Sequence, residues 1–107
     1  MGKRAVLKIV SRFAEALQAR GIRCPRIILY GSHATGRSHE DSDIDLAVIS
    51  RDFVGKGYWE RIDILSAAIC ELWEPIEAVA MTPAEWRKGS SLIVDFARKG
   101  EVVYSGR

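Results

Sequence analysis

The sequence holds little that would staple it, anchor it or wrap it around a nucleic acid. Its two cysteines, Cys24 and Cys70, stand far apart with no second pair. That spacing excludes a paired-cysteine zinc site and a disulfide framework. Both read as small buried hydrophobes in a reducing cytoplasm. No apolar run reaches the roughly 18 residues of a membrane span. The basic start Met1–Arg4 leads into an amphipathic pattern rather than the core of a signal peptide, so no membrane association is expected. Neither charge sign is in excess: the net charge of +2 is too mild to imply that nucleic acid is bound directly. Repeats and low-complexity segments are absent.

What remains is ordinary globular material. Apolar residues make up 48% and charged ones 28% of 107 residues, enough for one domain with a single core but not for a second lobe.

The informative stretch begins with the β-branched run Ile27-Ile28-Leu29-Tyr30, which reads as a buried strand. Gly31-Ser32-His33-Ala34-Thr35-Gly36 follows, then a polar loop, then Ser42-Asp43-Ile44-Asp45-Leu46-Ala47-Val48. Gly31 lets the chain turn sharply out of the strand and bring its backbone close to a ligand. Ser32 is placed to cap a short helix over Ser32–Gly36, whose free N–H groups would attract phosphate. In a strand over Asp43–Ile49, Asp43 and Asp45 share a face with Cα atoms roughly 6.7 Å apart. Two ionised carboxylates about 4 Å apart would repel by about 4 kcal/mol at an effective dielectric near 20. A cation between them is therefore expected, and magnesium suits hard oxygen ligands and arrives with phosphates.

The flanking chain supplies the scaffold. Lys3–Arg20 reads as an amphipathic helix with Val6, Ile9, Val10, Phe13 and Leu17 inward and Gly21 as its stop. A strand starts at about Arg26 after Pro25. Tyr58–Trp73 is a second helix with Ile62, Leu65, Ile69 and Leu72 on one stripe. Glu74–Met81 follows as a third strand. Thr82 and Pro83 open another helix, Ser90–Lys99 forms the last with Leu92, Ile93 and Phe96 inward, and Glu101–Tyr104 closes the sheet.

Glu77 is the one charge inside an apolar strand, where an unpaired carboxylate is expensive to bury. Two readings stand for it: third acid of a metal site, or edge-strand charge facing water. Glu74, at the mouth of the strand, is its competitor. Asp41 reads either as a further ligand or as part of a solvated turn. Arg37, just past the short helix, is placed to reach phosphate, whereas His33, His39 and Lys56 default to surface positions.

Gly31-Ser32, the spacer and Asp43-Ile44-Asp45 together resemble the nucleotidyltransferase superfamily that includes DNA polymerase beta. The pattern is most similar to its minimal members, small proteins often paired with HEPN-domain toxins, and the similarity runs over nearly the whole chain. Many relatives carry Arg where Thr35 stands, and the third acid is most often Asp rather than Glu. The resemblance implies an α/β (α+β) nucleotidyltransferase fold, one domain over 1–107, with a mixed sheet of about four strands and helices on one main face.

It also implies transfer of AMP from ATP, a nucleoside triphosphate, to a hydroxyl, releasing pyrophosphate. Gly31, Ser32 and Arg37 would hold the nucleotide, while Asp43, Asp45 and Glu77 would serve two Mg2+ ions and the catalytic proton. The acceptor would be a side chain of a HEPN toxin, with this chain acting as a type VII-like antitoxin. A homo-oligomer is the other way to supply the missing acceptor lobe. The rival readings are a non-catalytic antitoxin that neutralises its partner by binding, and a freestanding drug-modifying transferase, which the missing lobe disfavours.

Overall fold

Four strands form one mixed sheet in the order β3-β2-β1-β4. The computed structural model describes residues 2–35, 43–89 and 91–106. In chain order the elements are α1 (Lys3–Gln18), β1 (Arg26–Tyr30), α2 (Ser32–Thr35), β2 (Ile44–Ile49), a 3-10 turn (Arg51–Phe53), α3 (Tyr58–Leu72), β3 (Ile76–Met81), α4 (Pro83–Lys88), α5 (Leu92–Arg98) and β4 (Glu101–Ser105). β1 runs antiparallel to both β2 and β4, while β2 and β3 are parallel. A parallel pair needs a crossover, and α3 provides it.

The larger core lies between the sheet and α1 with α3. Phe13 and Leu17 of α1, Ile27 and Leu29 of β1, and Ile44, Leu46 and Val48 of β2 are fully buried there. Each such side chain contributes about 2 kcal/mol by leaving water. Alternation along β2 sends Ala47 and Ile49 to the opposite face. That face has a cover of its own, so the expectation of helices on one main side needs amending. Val94 and Ala97 of α5, with part of Trp86 from α4, pack on Ile28, Ala47, Ile49 and Met81.

The face that α5 turns inward is a second correction. Leu92 and Phe96, expected inside, are 74% and 60% exposed, and Ile93, also expected inside, is 39% exposed. Val94 and Ala97, three residues apart, form the stripe that meets the sheet, and at about 100° per residue Leu92 and Phe96 fall on the far side of the helix. Its start is fixed by Ser91, whose hydroxyl accepts from the Val94 N–H at 3.3 Å, so that the helix begins at Leu92, two residues later than the expected Ser90.

Neither cysteine is the buried hydrophobe expected. Cys70 sits on the outer side of α3 and Cys24 is half-buried, and neither forms a disulfide. No described helix is long and apolar enough to cross a membrane.

Candidate active site

Tyr30, Asp45 and Glu77 form a row across three strands. Tyr30 pairs with Asp45 in the antiparallel ladder and Asp45 with Glu77 in the parallel one. Neighbouring strands lie about 4.8 Å apart, so the row is about 10 Å long. All three side chains belong to the α5 face by the alternation of their strands, at the end of the sheet that α5 leaves uncovered.

The row is electrostatically crowded. Burial raises the Asp45 carboxyl above its ordinary value, and the charge of Glu77, a hydrogen bond with Glu77 and the charge of Asp43 raise it further. His33 pulls it back. Tyr30 is also raised, by burial and then by the Asp45 and Glu77 charges, so it is a neutral phenol at neutral pH. A second carboxylate facing Asp45 disfavours its ionised form. The donor set is thus suited to a divalent cation, which would relieve that crowding. Among the described residues no three acidic, histidine or cysteine side chains converge into a ready-made cage. That is compatible with magnesium, which commonly takes one or two carboxylates and completes its shell with water and substrate phosphate.

Gly31 is fitted to this carboxylate. It has φ of +74°, and a Cβ built on it would stand 2.2 Å from Asp45 Oδ2. Both the backbone conformation and the space require glycine. The turn leads directly into α2, which begins at Ser32, carries His33 within electrostatic reach of Asp45, and starts with the Ala34 N–H donating to the Gly31 carbonyl at 3.2 Å.

The expected residues do not all share one place. Asp45 and Glu77 are together, with Asp43 close by but exposed and one position before β2 starts. Glu77 is an exposed residue of an edge strand, and it stands opposite Asp45 in the parallel ladder. Its competitor Glu74 is ion-paired with Arg12 of α1 at 3.6 Å. Lys56 lies beyond the other end of β2, donating to the Asp52 carbonyl at 3.0 Å, so it is not part of this cluster. Gly36, Arg37, His39 and Asp41 fall outside the described residues.

Tyr30 is the member that sequence reasoning passed over. It was absorbed into an apolar run, although alternation from Ile28 and its place next to Gly31 put it on the face of Asp45.

The family model of the nucleotidyltransferase domain matches residues 10–97, which include every one of these positions. The chain belongs to the nucleotidyltransferase domain family. No curated protein sequence matches it, but solved structures share this nucleotidyltransferase fold at low identity. A candidate nucleotidyltransferase from Sulfolobus solfataricus superposes with a TM-score of 0.71 at 16% identity, over 98% of this chain and 90% of that one. A toxin-antitoxin structure with AMP-PNP gives 0.64 at 20% identity, over 91% and 73% of the two chains. A tri-AMPylated Shewanella oneidensis HEPN toxin in complex with MNT antitoxin gives 0.58 at 16% identity, over 92% and 71%.

Proposed function

We propose that this nucleotidyltransferase moves AMP from ATP to a hydroxyl side chain of a HEPN-type toxin, acting as a cytoplasmic antitoxin of the minimal nucleotidyltransferase kind. The observation that carries the reading is the Asp45–Glu77 pair with the Gly31 turn pressed against it. Support for the nucleotide and the partner comes from two structural relatives, one with AMP-PNP and one whose toxin is AMPylated.

In this reading Gly31 and Ser32 offer backbone and hydroxyl donors to the β- and γ-phosphates, and Arg37 adds a cation to them. Asp43 and Asp45 would hold Mg2+, with Glu77 within reach of a second ion. The ions, when bound, neutralise the triphosphate and acidify the attacking hydroxyl. Glu77, on the open edge strand, accepts the proton of the acceptor hydroxyl. The acceptor oxygen bonds to the α-phosphorus as the bond to the β-phosphate bridge breaks, and pyrophosphate leaves. The protein's contribution is alignment and charge compensation, as in other phosphoryl chemistry.

Incubation with α-labelled ATP, Mg2+ and the candidate toxin tests this. Label should appear on the toxin and vanish with Asp43→Asn/Asp45→Asn. A tight complex that stays unlabelled with the wild-type chain would establish the binding-only alternative instead.

A further inference from the structure

The two edges of the sheet are built differently. β4 is irregular, with a register shift opposite Ile27 and Ile28, and its Glu101 is ion-paired to Lys3. Such devices blunt an edge against pairing with another chain. β3 has neither. It runs six residues in unbroken register with β2, carries Glu77 as its single charge and contains no proline.

Its polar backbone can be followed residue by residue. The Ile44 N–H bonds to the Pro75 carbonyl, and the Ser50 N–H to the Met81 carbonyl. With the evenly spaced bonds of a parallel ladder, the odd-numbered residues of β3 therefore face β2. Ala78 and Ala80 turn their N–H and C=O groups to the open side, and no described residue bonds to them.

These alanines line a groove of about 620 Å3 between the start of α3 and α4 with α5. Ile62, Leu65, Val79 and Met81 give it apolar walls, and Tyr58 stands at its side. Its charged groups are Lys56, Arg61 and Lys88 against Glu85, three cations to one anion. Arg61 is held by Glu85 at 2.7 Å, which leaves the charges of Lys56 and Lys88 uncompensated among the lining residues.

We infer that this groove is a strand-addition site for an extended, acidic-flanked peptide segment of another protein, bonded through the outward backbone of Ala78 and Ala80. Main-chain bonds to a free edge supply affinity in this recognition mode, and the pockets beside it supply specificity. A second copy of this chain is the poorer occupant, because edge-to-edge pairing would bring the same lysines together. The inference concerns binding alone and stands whether or not the chain transfers nucleotides.

The test uses the full chain and a dye-labelled peptide of alternating valine and threonine flanked by aspartates, with lysine-flanked and proline-interrupted versions. The aspartate peptide should bind saturably below about 1 mM and about tenfold more tightly than the lysine peptide. Proline should abolish binding, and Lys56→Glu/Lys88→Glu should invert the charge preference while leaving the backbone intact. Bound peptide should slow amide exchange at Ala78 and Ala80. Equal binding of both peptides, tolerance of the proline or unchanged exchange at those two amides overturns the inference. A dimer in solution that Ala80→Pro dissociates overturns the choice of occupant.

Discussion

Gly31 and Asp45 are in contact across the turn: the space where a Gly31 side chain would begin is filled by Asp45 Oδ2, 2.2 Å away. A Gly31→Ala variant must leave its φ of +74° or push the carboxylate aside. The conformation alone costs about 1 kcal/mol, and the clash adds to it. Urea unfolding should show a loss of about 1–3 kcal/mol, with nucleotide transfer falling by at least an order of magnitude. A variant as active as the wild type would show that the contact is incidental.

Asp45→Asn should separate stability from activity. In the metal-free protein Asp45 has a raised pKa, chiefly through burial and then the charge of Glu77. The folded state therefore holds this proton more tightly than the unfolded one. The resulting stabilisation is complete below the ordinary carboxylate pKa and is lost as pH rises through the raised value. At neutral pH the ionised Asp45 is a burden, and Asn relieves it by under about 1 kcal/mol, since solvent still screens a half-buried group. Melting without divalent cation should find the variant as stable as wild type or slightly more so at pH 7, yet inactive. The difference between the two proteins decides it: a variant that lost stability relative to wild type as pH rose from 4 to 7 in the absence of metal would contradict the crowding described here.

How much of this could be read from residues alone depends on whether local pattern or tertiary contact decided the outcome. The Gly31 turn, the β2 alternation and the placing of Glu77 on a neighbouring strand follow from periods and turn chemistry that the chain carries locally. Its pairing opposite Asp45 does not, because register between parallel strands is set by how α3 packs across the sheet. The α5 face was misjudged for a related reason. Size and apolarity argue for Leu92 and Phe96 inside, but the contacts of Val94 and Ala97 with the sheet fix the rotation of the helix and leave those two on its far side.

That reversal is measurable. Leu92→Ala and Phe96→Ala should each change stability by no more than about 0.5 kcal/mol, whereas Val94→Ala, at a 3% exposed position, should cost about 1–2 kcal/mol. Chemical denaturation of the three variants decides it. A larger loss from Phe96→Ala than from Val94→Ala would mean that α5 sits rotated in solution.

Tyr30 offers a spectroscopic view of the carboxylates. Burial is the first cause of its raised pKa and the Asp45 and Glu77 charges come after. In an alkaline absorbance titration one phenol should ionise later than the ordinary value near 10. With Asp45→Asn/Glu77→Gln that late step should move down without returning fully, since burial persists. No movement at all would place Tyr30 outside the field of the pair.

The unequal cover of the two sheet faces bears on how the molecule comes apart. Among the described residues eighteen are buried in the core shared with α1 and α3, and only six on the face of α5. The thinner layer has less to lose on opening, so its amides should exchange with solvent in excursions that leave the thicker one closed. Asp45 stands on β2 and Gly31 directly after β1, both strands anchored from the opposite side. The carboxylate scaffold would thus persist while α5 is transiently away, and the hydrophobic patch of Leu92 and Phe96 would travel with the departing helix rather than with the catalytic row.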